Sequence, residues 1–250
     1  MVSAFSAANK VVLGQIKTSE TSNEITAIPK LLDLLELKGC LISIDAMGCQ
    51  REIAEKIVAK EADYLLAVKG NQGKLLEAFE NHFSVDQINQ WEGDIFKTEE
   101  KSHGRMETRI HIVSGVFDEF VNLSFDWKGL TSLGIVMSAK MEGEAFNADD
   151  ITIRYYISSA ELTPEKLASS VRDYWQVENG LHWKLDCAMN EDDCKIRRDN
   201  AAEILVRFRH IAVNFLNDCK TFKAGLKRKQ KKAALSADYL SQVLAGSEAS

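Results

Sequence analysis

The sequence predicts an α/β fold, and three observations predict it. Strand-sized apolar runs alternate with amphipathic helical repeats between Cys40 and Val68. Segments of strand character dominate from Phe83 to Ser159. A long helix then opens at Thr163-Pro164-Glu165, an N-cap hydroxyl, a first-turn proline and an acid near the positive end of the macrodipole.

Taken in order, Val2 to Ser6 and Lys10 to Lys17 read as two strands of a hairpin, with Ala8-Asn9 at the turn, where asparagine suits positive φ. Asn23 to Leu37 carries Ile25, Ile28, Leu31, Leu32 and Leu35 at helical spacing, and Gly39 reads as the stop. A buried strand, Cys40 to Ile44, comes next. Arg51 to Lys60 follows as a helix with Ile53, Ile57 and Val58 inward, and Tyr64 to Val68 as a further strand. Arg109 to Val113, Leu133 to Met141 and Ile151 to Ile157 are the candidate strands of the β-rich stretch, which reads as an insertion. The helix from Pro164 is expected to reach Met189. Another, Ala201 to Leu216, should open at Asn200 with Glu203 in the capping-box position and Leu205, Phe208, Ala212 and Phe215 as its apolar stripe. The basic stretch beyond it and Ala233 to Leu244 add a short final helix. The expected division is 1–82, the first part of the core; 83–159, the insertion; 160–218, the closing helices; and 219–250, a basic tail.

The chain has 250 residues, 45% hydrophobic and 27% charged, a composition that argues against wholesale disorder. No apolar run is long enough to span a membrane and no signal-like segment opens the chain, so a cytoplasmic protein is expected. Five cysteines without CxxC spacing fit buried or free thiols rather than disulfides or structural zinc. Net charge is −6, which alone points away from nucleic acid. Its distribution does not. From Lys195 to Lys232, twelve basic residues face three acids, a local +9 that leaves −15 for the remainder. Such a run serves either solubility or phosphate attraction.

Two carboxylates stand out. Asp45 follows the apolar run Leu41 to Ile44 and precedes Ala46-Met47-Gly48, at the strand-exit edge where α/β sheets place ligand groups; capping a turn is the alternative. Glu178 occupies a position in the repeat Leu167, Val171, Tyr174, Glu178, Leu181, Leu185, Ala188. A carboxylate on an apolar stripe must be paired, protonated or metal-bound; Arg172 and Arg154 are the candidate partners for a simple ion pair. Trp175, His182, Trp183 and Lys184 stand around it on the same helix, suited to base or sugar contact or, for the tryptophans, to the core.

The segment Arg172, Tyr174-Trp175, Val177-Glu178-Asn179, Leu181-His182-Trp183, Leu185-Asp186 and Glu191-Asp192 resembles the glutamate-bearing helix of bacterial insertion-sequence DDE transposases, in the branch that includes the H-repeat-associated proteins. Asn23 to Pro29, Ile44 to Gln50, Lys69-Gly70-Asn71-Gln72, His103-Gly104-Arg105 and Lys227-Arg228-Lys229 resemble the same family in the same order, so the resemblance covers essentially the whole chain. It implies an RNase H-like mixed sheet flanked by helices, with a β-rich insertion. It also implies Mg²⁺, with Mn²⁺ as a substitute, held by two aspartates and a glutamate for DNA cleavage and strand transfer. By position, Asp45 matches the second aspartate and Glu178 the glutamate, as catalytic and metal-binding residues.

The first aspartate, in an Asp-Gly-Lys stretch on the first central strand, has no counterpart. The chain is expected to begin after that strand, leaving the strands at Val2 to Ser6 and before Asp45 unpaired on one side unless they close the gap. Strand transfer by these residues alone is expected to be poor, and the alternative reading is a noncatalytic remnant that binds DNA or an intact transposase. Tyr174 and Met189 also depart from the usual histidine and phenylalanine. Candidate DNA contacts are Lys69, Asn71, Gln72, His103, Arg105, Arg109, Arg172, His182, Lys184, Lys227, Arg228 and Lys229. The expected partners are element-end and target DNA and a further copy of the protein assembled on it, near the nucleoid, with no membrane and no small-molecule substrate.

Overall fold

The structure is a computed structural model that describes residues 1–18, 24–102, 105–142, 145–146, 151–196 and 198–246, without the side chains of 102, 105, 140–142, 145, 146, 176, 178 and 179. It divides into two compact units, Ser22–Arg172 and a second formed by Met1–Thr21 with Asp173–Ser250.

The Ser22–Arg172 unit is built on a mixed sheet. Helix α1 (Glu24–Asp33) leads to strand β3 (Leu41–Ile44), helix α2 (Arg51–Ala59) and strand β4 (Asp63–Val68), and β3 and β4 are parallel with Ile44 opposite Leu66. Parallel pairing requires the crossover that α2 supplies. Strands β5 (Ile95–Ser102), β6 (Arg105–Gly115), β7 (Ser132–Glu142) and β9 (Thr152–Ser158) continue the sheet antiparallel, in the order β3-β4-β9-β7-β6-β5; β8 (Ala145–Phe146) pairs with β7. The sheet is mixed and helix-flanked, in agreement with the fold class expected. Strand β6 extends beyond the 109–113 expected, and β5 was not anticipated, because its Lys97-Thr98-Glu99-Glu100-Lys101 run lacks an apolar face.

Three short helices also escaped the periodicity: α3 (Gly73–His82), α4 (Val85–Asn89) and α5 (Asp118–Ser124). Each contributes one or two anchors, so none shows a full stripe. Phe79 of α3 stacks on Tyr155 of β9 with ring centroids 4.9 Å apart and meets Phe120 of α5 edge-on at 5.0 Å. Aromatic rings supply much buried area from few residues, which is how such short helices are held. Helix α6 (Pro164–Gln176) opens as expected, with the Thr163 hydroxyl accepting from the Lys166 N–H. Its Leu167 and Val171 pack on Leu65, Val136 and Tyr156, and Gly134 lies so close that an added Cβ would stand 3.0 Å from Leu167.

In the other unit, β1 (Val2–Ser6) and β2 (Val11–Ile16) form the expected hairpin. Strand β1 pairs with β2 and β3 with β4, in separate sheets. The hairpin is held by α8 (Ala201–Asp218): Asn214 accepts from the Val12 N–H at 2.8 Å and donates to its carbonyl at 2.9 Å. One side-chain amide thereby takes both backbone groups of Val12, as a neighbouring strand would. His210 of α8 bonds to Gln15 at 2.8 Å. These polar contacts decide which face of α8 is buried. His210, Val213 and Leu216 are inside, while Phe208 is 64% exposed and Phe215 lies outward, contrary to the stripe expected. Asn200 makes no side-chain cap either; Glu203 pairs with Arg207 instead.

The carboxyl end of this unit holds two helices, α9 (Leu226–Leu235) and α10 (Ala237–Ala245), with Leu226, Tyr239 and Val243 buried against Leu181, Leu185 and Leu216. Lys229 is buried at 8% exposure, and its ammonium donates to the carbonyls of Leu216 at 2.7 Å and Cys219 at 2.6 Å. It thus satisfies the open end of α8 and matches its negative dipole pole. Lys229→Met retains the stem but strands two carbonyls, and is expected to cost about 3 kcal/mol of stability, read as a lower urea midpoint at unchanged slope.

Candidate active site

Asp45 is the first residue after β3, at the end of the sheet where β3 and β4 both exit. Its Oδ1 accepts from the Gly48 N–H at 3.2 Å, the Cys49 N–H donates to Ala46 at 3.2 Å, and the Gln50 N–H donates to Gly48 at 2.9 Å. The turn is pressed onto the core. Cys49 is 0% exposed, and a Cβ on Gly48 would stand 2.3 Å from Ile44 Cγ2. Burial pushes the Cys49 thiol up to about 12, so it is a packing group and no nucleophile.

The chain leaving β4 forms a 3-10 turn, Gly70–Gln72. Asn71 donates to the Ala46 carbonyl at 2.6 Å and Gln72 to the Cys49 carbonyl at 2.8 Å. Two of the candidate DNA contacts therefore already engage the Asp45 turn, while Lys69 is exposed beside them. The parallel pairing of β3 and β4 is what brings these residues near one another, and the sequence did not indicate it.

Glu178 belongs to the other unit. Its backbone lies in a π-helical segment, Val177–His182, between α6 and α7 (Trp183–Met189), so the helix from Pro164 to Met189 is interrupted there. Single π turns inside α-helices are frequent at functional sites. Leu181 and Leu185 beyond it are buried on Val213 and Leu216, as the repeat required. The side chain of Glu178, like that of Arg105, lies outside the described residues, as does His103 entirely. Among the described residues, no three His, Cys, Asp or Glu side chains converge as a metal site.

The remaining candidate contacts fall into two groups. Arg109 bonds Glu100 at 3.0 Å and Glu107 at 2.8 Å, and Arg172 pairs with the other oxygen of Glu100. The hydrogen bond from Arg109 is the main reason that the Glu100 carboxyl lies below its usual range, with both guanidinium charges adding to it. These arginines are thus already paired on strands β5 and β6 and helix α6. Lys184 presents the opposite situation. It reaches Asn217 at 3.5 Å, and its pKa is lowered by burial and then by the charges of Lys10, Lys229 and Lys220. Lysines that repel one another constitute an anion-attracting patch. Lys10 was missed in the sequence because it lies in a hairpin turn far along the chain from the basic run that includes Lys220. Lys227 and Arg228 are exposed on α9 and His182 is exposed after Glu178, whereas Lys229 is committed to the carbonyls of α8.

Residues 1–215 match the model of the transposase DDE domain. The chain belongs to that family. It is 55% identical over 248 residues to the protein named H repeat-associated putative transposase YhhI of Escherichia coli K12, covering 99% of this chain and 66% of the relative. It is 56% identical over 245 residues to the protein named putative transposase YncI of Escherichia coli O157:H7, covering 98% and 63%. The chain thus spans about two thirds of the length of these curated relatives. A piggyBac transposase synaptic complex with hairpin DNA aligns over 94% of the chain and 45% of its own, at 10% identity and a TM-score of 0.46, too weak a likeness to argue from. Among the described residues no helix of this transposase DDE domain is long and apolar enough to cross a membrane.

Proposed function

We propose that this chain supplies Asp45 and Glu178 to the metal centre of a DNA strand-transfer transposase. Membership of the transposase DDE domain family carries the reading. Asp45 at the exit of β3 and the π-helical interruption at Glu178 support it. Carboxylate oxygens are the donors that Mg²⁺ prefers, and Mn²⁺ accepts them equally. Bound there, such ions would neutralise phosphate charge and favour ionisation of the attacking hydroxyl.

In this reading, a water molecule cleaves a phosphodiester at the element end and leaves a 3′-hydroxyl. That hydroxyl attacks a target phosphodiester and displaces its 3′-oxygen, so no covalent protein intermediate forms. Lys184 with Lys10 and Lys220, and Lys227 and Arg228 of α9, would hold backbone phosphates. DNA in this reading also brings copies of the protein together, in the cytoplasm and on the nucleoid.

The test is end cleavage and joining on element-end DNA with Mg²⁺, comparing the 250-residue chain with one lengthened to the full span of its relatives. Two carboxylates alone leave a pair of ions under-neutralised. The longer chain is therefore expected to join ends, and the shorter to bind DNA with little joining. Joining that persists in both Asp45→Asn and Glu178→Gln would refute the assignment. Absence of joining from either length would favour a noncatalytic DNA-binding role.

A further inference from the structure

We propose that Asn71 and Gln72 are positioning residues that clamp the turn carrying Asp45, and so set the metal affinity of its carboxylate. The inference rests on the reading of Asp45 as a metal ligand. The features that carry it all lie within the Ser22–Arg172 unit. Among the described residues, the backbone bonds within the Asp45 turn are short-range, from Cys49 to Ala46 and from Gln50 to Gly48. Gln50 adds a bond to Met47 at 3.2 Å, again from within the turn. The neighbouring loop provides hydrogen bonds that tie the turn to another element. Asn71 Nδ2 bonds Ala46, immediately after Asp45, and Gln72 Nε2 bonds Cys49, one residue past the Gly48 N–H that Asp45 accepts.

The two amides thus grip the turn on both sides of the Asp45–Gly48 bond. Because β3 and β4 are parallel and adjacent, both loops leave the same end of the sheet, and the rigid strand pair fixes the spacing between them. Buried Cys49 and the tight seat of Gly48 on Ile44 hold the inner side of the turn, and the two amides hold the outer side. A carboxylate held this way keeps one orientation without reorganising when a cation arrives. Groups that orient metal ligands from behind typically govern affinity by about 10- to 100-fold.

The alternative role for these amides is contact with DNA, and the two roles separate experimentally. Mn²⁺ binding to the full 250-residue chain is measured by the decrease of the free-ion electron paramagnetic resonance signal, for the wild type, Asn71→Ala, Gln72→Ala and Asp45→Asn. Duplex DNA affinity is measured on the same proteins without metal, and hydrogen exchange is followed at the Gly48 amide. Asn71→Ala and Gln72→Ala are each expected to weaken Mn²⁺ binding about 10- to 100-fold, to speed Gly48 exchange, and to leave DNA affinity unchanged.

If Asp45→Asn removes Mn²⁺ binding while both alanine variants bind it like the wild type, the positioning role is overturned and Asp45 survives as a ligand. Weakened DNA binding with unchanged Mn²⁺ affinity also overturns it, in favour of DNA contact. If Asp45→Asn itself leaves Mn²⁺ binding intact, the ligand reading fails and the proposed effect on metal affinity fails with it; Gly48 exchange then reports only whether the clamp exists. The urea midpoints of the variants guard against global unfolding, and a variant that does not fold is replaced by Asn71→Ser or Gln72→Ser, to which the same expectations apply.

Discussion

Asp45→Asn and Glu178→Gln, each made in the chain lengthened to the span of its relatives, are expected to reduce strand transfer by at least about 10³-fold, or about 4 kcal/mol of barrier. The magnitude follows from where the charge acts. A carboxylate that neutralises ions at a transferring phosphate is worth far more in a water-poor site than on an open surface. Asparagine is a clean test at position 45 because its carbonyl can still accept from the Gly48 N–H, so the turn is retained while the charge is removed. Alanine would remove both. The measurement is end joining at saturating DNA, with urea unfolding on the same proteins; a large fall in joining at unchanged midpoint is the expected pair of results. A reduction within a few fold would show that neither carboxylate carries the reaction.

DNA binding should respond to α9 through a different variable. Replacing Lys227, Arg228 and Lys231 with glutamine removes three exposed charges. Each phosphate left without its cation should lower the slope of log affinity against log salt by about 0.9. If all three cations meet phosphates, the slope falls by about 2.7 and affinity at low salt drops by more than about tenfold. Lys229→Gln is the internal contrast. Its ammonium is spent on Leu216 and Cys219, so the substitution should lower stability and leave the salt slope alone. An unchanged slope in the triple variant would remove α9 from the DNA surface, leaving the Lys10, Lys184 and Lys220 group as the candidate.

Lys229 is set apart from its neighbours by tertiary packing alone. In Lys227-Arg228-Lys229 the three cations look equivalent, and only the packing of α9 under the open end of α8 separates the third from the other two. The same holds for α8 itself. Apolar residues lie on two of its faces, and periodicity favoured the one with Phe208 and Phe215. The buried face instead carries Asn214, which satisfies the edge of β2 at Val12, and His210, which bonds the Gln15 side chain, tertiary requirements that a hydrophobic pattern does not carry. Elements with their own start signal or a clean apolar run were legible: the hairpin, β3, α2, β4 and the Thr163 cap all stand where the residues put them. The place of Asp45 at a strand exit was legible from the apolar run before it, although β3, at the end of the strand order, is half-buried rather than the buried strand expected. The amides that tether the Asp45 turn were not legible, since nothing local to Asn71 and Gln72 points to Ala46 and Cys49.

The proposed sharing of one metal centre by Asp45 and Glu178 is tested most directly by loading the chain with Fe²⁺ and generating hydroxyl radicals, which cut the backbone beside the bound ion. The expected result is cleavage around residues 44–49 and again around 176–182. Both sets of cuts should be suppressed by excess Mg²⁺, and both should disappear together in either Asp45→Asn or Glu178→Gln. Cleavage at only one of the two segments, or at one segment undisturbed by substitution in the other, would contradict it.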